Sequence, residues 1–388
     1  MRDGLIALIG PSQGGEKASM RIVAVIFEGG KADRPVTQAM ASLRHRVVLD
    51  IVEKLFQTGE YDEIVVDTNY PELRAMLRDY PVTLREEIGT FHFGRALQQI
   101  VIDTNADGVL CMGGASAPFM STDEFKDMAS GLRCGTNLFY TNNPQSSDVV
   151  AFTPARAVLG IEPPDRDNAL GTALKDEAGL KRVLLPHSIG VHFDLDTPAD
   201  VLIMSLSSHT GPHTRQYLGQ LGWDTDVLRR AIDAMAQTNC ELGLIGRVNP
   251  AVMTHINSHT FCRLRVFSEE RGMKALRREE EGLVVSLLGH FIARLGVDEF
   301  FACLAQTCDV AFIDTRILFA HFKLALTEEE RFTSDLGLWQ QLEEPFLREF
   351  TRAASAASIP VVLGGHSLVT GGMWAIIDIL REMRTKHR

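Results

Sequence analysis

Hydrophobic positions fall into short unbroken runs, separated by longer stretches in which they recur every third or fourth residue. The first run, Ile22 to Phe27, ends in Glu28-Gly29-Gly30 and a polar loop carrying Lys31, Asp33 and Arg34. Val47, Val48, Ile51, Val52 and Leu55 then follow at helical spacing. Strand, glycine loop and helix is the opening of an open α/β sheet that binds a nucleotide. Further buried strands are predicted at 63–67 and 107–112 and a short one at 82–86, with helices at 72–79, 90–102 and 121–129. This alternation predicts a largely parallel sheet. Residues 137–157 mix aromatics, amides and small polar side chains, which predicts antiparallel or irregular structure walling a substrate cleft. A loop at 163–168 and a helix to 178 follow. A last strand is predicted at 191–195, leading into a helix to about 206 that Asp196 or Thr197 can cap and Pro198 suits at its first turn.

The second half repeats the plan. Residues 207–222 are rich in small and polar side chains and mark a boundary, and 224–239 reads as a helix. Three strands follow, at 262–267, 310–313 and 361–363. They run into Ser268-Glu269-Glu270-Arg271, Asp314-Thr315-Arg316 and Gly364-Gly365-His366-Ser367. Helical patterns at 282–295 and 346–357, and one ending the chain, lie among them. The division expected is a flexible leader at 1–19, a nucleotide-binding domain at 20–206, a linker at 207–224 and a second α/β domain at 225–388.

Length agrees with two domains, because 388 residues exceed the size at which one core usually splits. The formal charge is −11 and no lysine-arginine run occurs, which argues against long nucleic acid as a partner. A small phosphorylated ligand needs only a local basic pocket. The six cysteines form no CxxC pair, so a reducing, cytoplasmic setting without a zinc site is expected. No apolar run approaches the roughly 20 residues of a bilayer span, so no membrane role is expected.

Three motifs occur in a telling order: Gly29-Gly30 with Arg34-Pro35 and Ser42-Leu43-Arg44-His45-Arg46-Val47-Val48-Leu49; Gly113 to Pro118; and Phe193-Asp194-Leu195-Asp196-Thr197-Pro198-Ala199-Asp200. Together they resemble the molybdenum-cofactor guanylyltransferase-like nucleotidyltransferases, over about residues 20–206. The resemblance implies a GT-A-type fold: a three-layer, mostly parallel sheet of the nucleotide-diphospho-sugar-transferase kind. It implies a nucleoside triphosphate on the Gly29-Gly30 loop, with Lys31 and Arg34 on its phosphates, and Mg²⁺ held by Asp194 and Asp196. Gly94, Gly113, Gly114 and Ser116 would line the nucleotide. The chain departs from the family in two places. Ser116 stands where Gly-Asp-x-Pro has its aspartate, and Thr37 to Ala41 contain no lysine where the family has one.

Each motif also has a plainer reading. The first glycine loop can be a tight turn; Asp194 and Asp196 can simply cap a helix; Gly113 to Ser116 can be a turn. Ser146, Ser147 and Asp148, with Asn142 and Asn143, form either a polar loop or an acceptor-holding wall. In the second half, Gly364, Gly365, His366 and Ser367 form either an anion nest or a close helix–strand contact. Glu270, Arg271, Asp314 and Arg316 form either a ligand site or an ion-pair network.

Three functions are therefore expected. The first is transfer of a nucleoside monophosphate from a triphosphate to a small phosphorylated or acidic acceptor. The second is non-catalytic binding of a nucleotide or nucleotide-sugar, coupled to the C-terminal half. The third is an enzyme whose main site lies in 225–388.

Overall fold

The computed structural model describes residues 20–86, 90–144, 147–273 and 277–386. The expected leader lies outside them, as does Ser146.

The first half comprises β1 (Ile22–Glu28), α1 (Pro35–Thr58), β2 (Glu63–Thr68), α2 (Pro71–Met76), β3 (Thr83–Arg85), α3 (Phe93–Thr104), β4 (Gly108–Gly113), α4 (Thr122–Cys134), β5 (Leu138–Thr141), β6 (Val149–Thr153), α5 (Leu170–Asp176), β7 (Lys181–Leu184), α6 (Ile189–His192) and α7 (Pro198–Leu206). Its seven strands lie in the order β3-β2-β1-β4-β6-β5-β7. Every pairing is parallel except the two made by β6.

The second half comprises α8 (Pro212–Leu221), α9 (Asp226–Met235), β8 (Glu241–Gly246), α10 (Pro250–His259), β9 (Arg263–Ser268), α11 (Leu287–Leu295), α12 (Val297–Thr307), β10 (Val310–Asp314), α13 (Arg316–His321), α14 (Glu328–Asp335), α15 (Pro345–Ala356), β11 (Val361–Gly364) and α16 (Gly371–Lys386). Its strands form an all-parallel sheet in the order β11-β10-β8-β9.

Strands buried on both faces must be apolar throughout, and β1 shows why. Val23 and Val25 pack toward α3 and α5, while Ile22, Ala24 and Ile26 pack toward α1 and α4. The second of these cores does not stop at the first sheet. It runs on through α7, α9 and α16 to Leu242, Leu244, Val310, Phe312 and Val362 of the second sheet. Ile245, Ala311, Ile313, Val361 and Leu363 cover that sheet's other face against α12 and α15. The two sheets thus share one helical layer.

Several elements differ from expectation. The strand expected at 191–195 is α6 followed by a single antiparallel bridge between Ser116 and Asp194. Gly190 lets this turn press on the chain at Met120, whose Cα would lie 2.7 Å from a Cβ there. β8 was not expected, because its two glycines weaken the strand pattern. Gly243 is needed all the same, since a Cβ there would meet Cys308 Sγ at 2.8 Å. The helix expected at 282–295 begins only at Leu287, where Glu269 accepts from the Leu287 N–H and the Ser286 hydroxyl, each at 2.7 Å. The 207–224 stretch, expected as a linker, contains α8, which packs on α1. The Asp50 carboxylate of α1 accepts from the His213 and Thr214 N–H groups, both at 3.0 Å. No described helix is long and apolar enough to cross a membrane.

Gly371, at the start of α16, tests how closely the halves are fitted. A Cβ there would lie 1.8 Å from the His192 carbonyl oxygen. Backbone cannot step aside as a flexible side chain can, so Gly371→Ala is expected to cost about 3 kcal/mol or more in urea unfolding. Gly219→Ala, with open space around it, serves as the control.

Candidate functional site

In an open α/β sheet, a crevice forms where the chain reverses its direction of winding. Here the chain moves outward from β1 to β2 and β3, then returns to place β4 on the other side of β1. The loops after β1 and β4 therefore flank the crevice. Gly29 and Gly30 are exposed in the first loop, and Asn69 fixes their backbone. The Gly30 N–H donates to Asn69 Oδ1 at 3.1 Å, and Asn69 Nδ2 donates to the Gly30 carbonyl at 3.0 Å. Gly30 has φ +150°, which strains any other residue. Lys31 and Arg34 are exposed on the same loop, with Arg34 at the N-cap of α1.

The second loop is locked to the first. The Gly114 N–H donates to the Phe27 carbonyl at 2.8 Å. A Cβ on Gly114 would come within 2.5 Å of Glu28 Oε2. Glu28 is buried at 4 % exposure, and Arg44 donates to it at 2.9 Å. Burial holds the Glu28 carboxyl above its usual range in spite of that arginine. Ser116 is buried and bridges to Asp194, and the Leu195 N–H donates to the Ala115 carbonyl at 3.2 Å. Three segments far apart in sequence thus meet at one sheet edge.

The acidic segment after α6 brings carboxylates together there. Asp200 is fully buried at 0 %. Its Oδ2 accepts from the Thr197 N–H at 2.7 Å, the Thr197 hydroxyl at 3.0 Å and the Asp196 N–H at 3.1 Å. Asp194 and Asp148 are half-buried and Asp196 is exposed. Burial, then the nearby Asp196 charge, pushes Asp148 up to about 7. The same two causes push Asp200 to about 7, against the pull of its hydrogen bonds. Asp194 is raised well above its usual value by burial and then by Asp196, Asp148 and Asp200. Asp167 is raised too, first by burial and in part by Asp196. Asp196 is the common neighbour of all four.

The second half completes this edge. The Ser367 hydroxyl donates to Asp200 Oδ1 at 2.6 Å and lies 3.1 Å from the Asp194 carbonyl oxygen. Cβ atoms on Gly364 and Gly365 would meet Ala199 Cβ at 2.8 Å and Thr197 Cγ2 at 2.7 Å. Close packing is therefore one reason for these glycines. His366 stands between the halves: Arg247 and Asp314 act on its ring from one side and Asp196 from the other. Burial, then Arg247, holds its imidazole below the ordinary histidine value. Asp314 is bound by Arg247 through Nε at 2.6 Å and Nη2 at 2.9 Å. Burial alone would raise that carboxyl, yet the Arg247 charge leaves it lowered. The C-terminal edges of both sheets therefore meet at the Asp194–Asp200 segment, and the two glycine loops belong to one place.

No family model matches the chain, and no curated protein matches it. Among solved structures it is similar to CMP:2-keto-3-deoxy-manno-octonic acid synthetase complexed with CTP, at 13% identity and TM-score 0.34, over 46% of this chain and 94% of that one. It is similar also to a cytidylyltransferase from Leptospira borgpetersenii serovar Hardjo-bovis, at 14% identity and TM-score 0.38, over 54% of this chain and 94% of that one. A third likeness is to 4-diphosphocytidyl-2C-methyl-D-erythritol synthase from Anaerococcus prevotii, at 16% identity and TM-score 0.31, over 43% of this chain and 87% of that one. None of these three is a molybdenum-cofactor guanylyltransferase.

Some expected residues lie in other arrangements. Gly94 packs against the loop at Pro163 and Pro164: its N–H donates to the Pro164 carbonyl at 2.9 Å, and a Cβ would meet Pro164 N at 2.5 Å. The ion pairs at the second sheet are not the ones expected. Arg316 is bound to Asp335 at 3.0 and 2.5 Å, Glu270 is bound to Arg278, and Asp314 to Arg247. Arg271 is exposed and contributes positive charge toward His366. Asp167, Arg247 and Glu329 were not singled out as site residues, and Asp148 was expected only as part of a polar loop or an acceptor-holding wall. Asp148 had one usable signal, an acid set directly before a wholly apolar strand.

Glu329 occupies the N-terminus of α1. It reaches from α14 to the start of α1, where its Oε1 accepts from the Val36 N–H and its Oε2 from the Thr37 N–H, both at 2.9 Å. The positive end of α1, which suits a phosphate, thus carries one of the protein's own carboxylates. Glu329→Ala is expected to cost about 1 kcal/mol, as loss of an N-terminal cap does. Sulfate should restore more thermal stability to this variant than to the wild type, measured by differential scanning fluorimetry.

Proposed function

We propose that the protein is a nucleotidyltransferase-like enzyme whose site is shared by both halves. The observation that carries this reading is the meeting of Gly29-Gly30, Gly113 to Ser116 and Asp194 to Asp200 at the crevice between β1 and β4. A nucleoside triphosphate would lie across the two glycine loops. Lys31 and Arg34, exposed on the first of them, would meet its phosphates. An acceptor oxygen would attack the α-phosphorus; the bond from that phosphorus to the bridging oxygen would break, and pyrophosphate would leave. Positioning and charge neutralisation supply most of the catalysis in such transfers.

Carboxylates raised by burial and then by one another's charge suit a hard divalent cation, which all-oxygen ligands favour. Asp194, Asp196 and Asp148 would hold Mg²⁺, which when bound offsets negative charge on the transferring phosphoryl group. Asp148 thereby takes the place left by Ser116 in the family motif. Arg271, exposed on the His366 side, would offer positive charge to a phosphorylated or acidic acceptor. A binding module without turnover is the second reading. Ser116 in place of the family's aspartate and Glu329 at the α1 N-terminus favour it.

Two measurements test the proposal. The first is pyrophosphate release from each nucleoside triphosphate with Mg²⁺ and candidate phosphorylated acceptors. Asp196→Ala is expected to reduce it by at least about 100-fold, in line with loss of a main electrostatic group. Nucleotide binding with no release, unchanged by Mg²⁺, would select the binding module. The second follows from proton linkage. A raised carboxyl is protonated in the folded state between its unfolded value, near 4, and its folded value, near 7 for Asp148. Holding Asp148 charged in its buried place beside Asp196 therefore costs stability above pH 7, and that cost fades as pH falls through it. Thermal stabilisation by Mg²⁺ should be larger at pH 8 than at pH 5.5, and Asp148→Asn should raise the metal-free melting temperature while removing most of the Mg²⁺ effect.

A further inference from the structure

A second cluster of metal-binding side chains lies apart from this site. It joins the turn between α7 and α8 to the last helix. Asp378 and Glu382 are four residues apart on α16, which places both on one helical face. His209, in the turn after α7, faces them. One ligand atom from each of the three lies within 4.8 Å of the other two. His209 Nε2 is 2.8 Å from Asp378 Oδ2. Glu382 is oriented by the Ser208 hydroxyl, which donates to its Oε1. A shallow cavity, largely open to solvent and lined by Asp378, Arg381, Glu382 and Thr385, lies beside the two carboxylates. Among the described residues, this is the group of three that gathers its donor atoms so closely.

From this geometry we propose that His209, Asp378 and Glu382 bind a borderline divalent ion, of which Zn²⁺ is the probe. One imidazole nitrogen and two carboxylate oxygens form a mixed donor set. Such sets favour zinc and its transition-metal neighbours over Mg²⁺, which takes oxygen alone. Three protein ligands leave a fourth position for water from the cavity. The ion would take the place of the direct contact between His209 Nε2 and Asp378 Oδ2. Ser208, next to His209 in sequence, holds Glu382 from the outer shell. Because the ligands come from two separate segments, the ion would act as a staple between the α7–α8 turn and α16.

The test titrates the full chain with ZnCl₂ in a calorimeter, beside His209→Ala and Glu382→Gln, and reads thermal unfolding with Zn²⁺ or Mg²⁺. Wild type should take up one ion per chain saturably, with a rise in melting temperature that His209→Ala and Glu382→Gln lose, whereas any rise given by Mg²⁺ should be the same in these variants as in the wild type. Both variants should bind about tenfold or more weakly. The conservative Glu382→Gln should keep the metal-free melting temperature, which separates ligand loss from misfolding. Cobalt(II) should give a visible absorption band in the wild type that His209→Ala removes. Asp196→Asn should bind Zn²⁺ as the wild type does, which separates this site from the one at the sheet edges. No saturable uptake by the wild type, or equal uptake by the wild type and both variants, overturns the assignment.

Discussion

Asp200 is the side chain on which the arrangement of the two halves rests. It has no contact with water, and its two oxygens accept from Thr197, the Asp196 backbone and Ser367. A buried carboxylate without such partners would be prohibitively unfavourable. Its donors are therefore fixed as firmly as it is. Three of these bonds shape the start of α7; the fourth comes from the loop after β11, more than 160 residues away. The same contact that caps a helix also sets one sheet edge against the other.

Around that fixed point lies a group of acids that oppose one another. Helix capping explains Asp200, but not why Asp148 and Asp194 should sit beside Asp196. Carboxylates crowded in this way reduce stability at neutral pH unless a cation or proton joins them. Sites that accept such a cost are more often functional than structural. On the facing side, Arg247 and Asp314 cancel each other, so the second half adds a histidine and a shaped wall more than it adds net charge.

Much of this was legible in the sequence, for reasons that can be named. β1, β2, β4, β10 and β11 are buried on both faces, so their composition betrays them. The glycine loops and the Asp194–Asp200 segment were visible because helix caps and close turns need particular residues. The convergence was not visible, because it rests on a hydroxyl from Ser367 reaching Asp200 and on glycine Cα atoms pressed against Thr197 and Ala199. No local pattern encodes which distant segment a buried carboxylate will recruit. The strand expected at 191–195 failed for a related reason: its apolar residues are buried by packing on α4's approach and on α16, not by sheet pairing. β8 was obscured because Gly243 yields its side-chain space to Cys308.

The carboxylate of Glu329 at the start of α1 has a further consequence for selectivity. A group tethered to its own binding place acts as a competitor at an effective concentration on the order of millimolar, whatever the bulk solution holds. A lone inorganic phosphate, or a monophosphate reaching that place through one group, must outcompete it with a single contact. On the proposed function, a triphosphate would anchor elsewhere along the crevice first and then displace it, so the tethered acid would act as a threshold favouring ligands with several linked anions. Because Glu329 belongs to α14, the same two hydrogen bonds tie the second half of the chain to the start of α1.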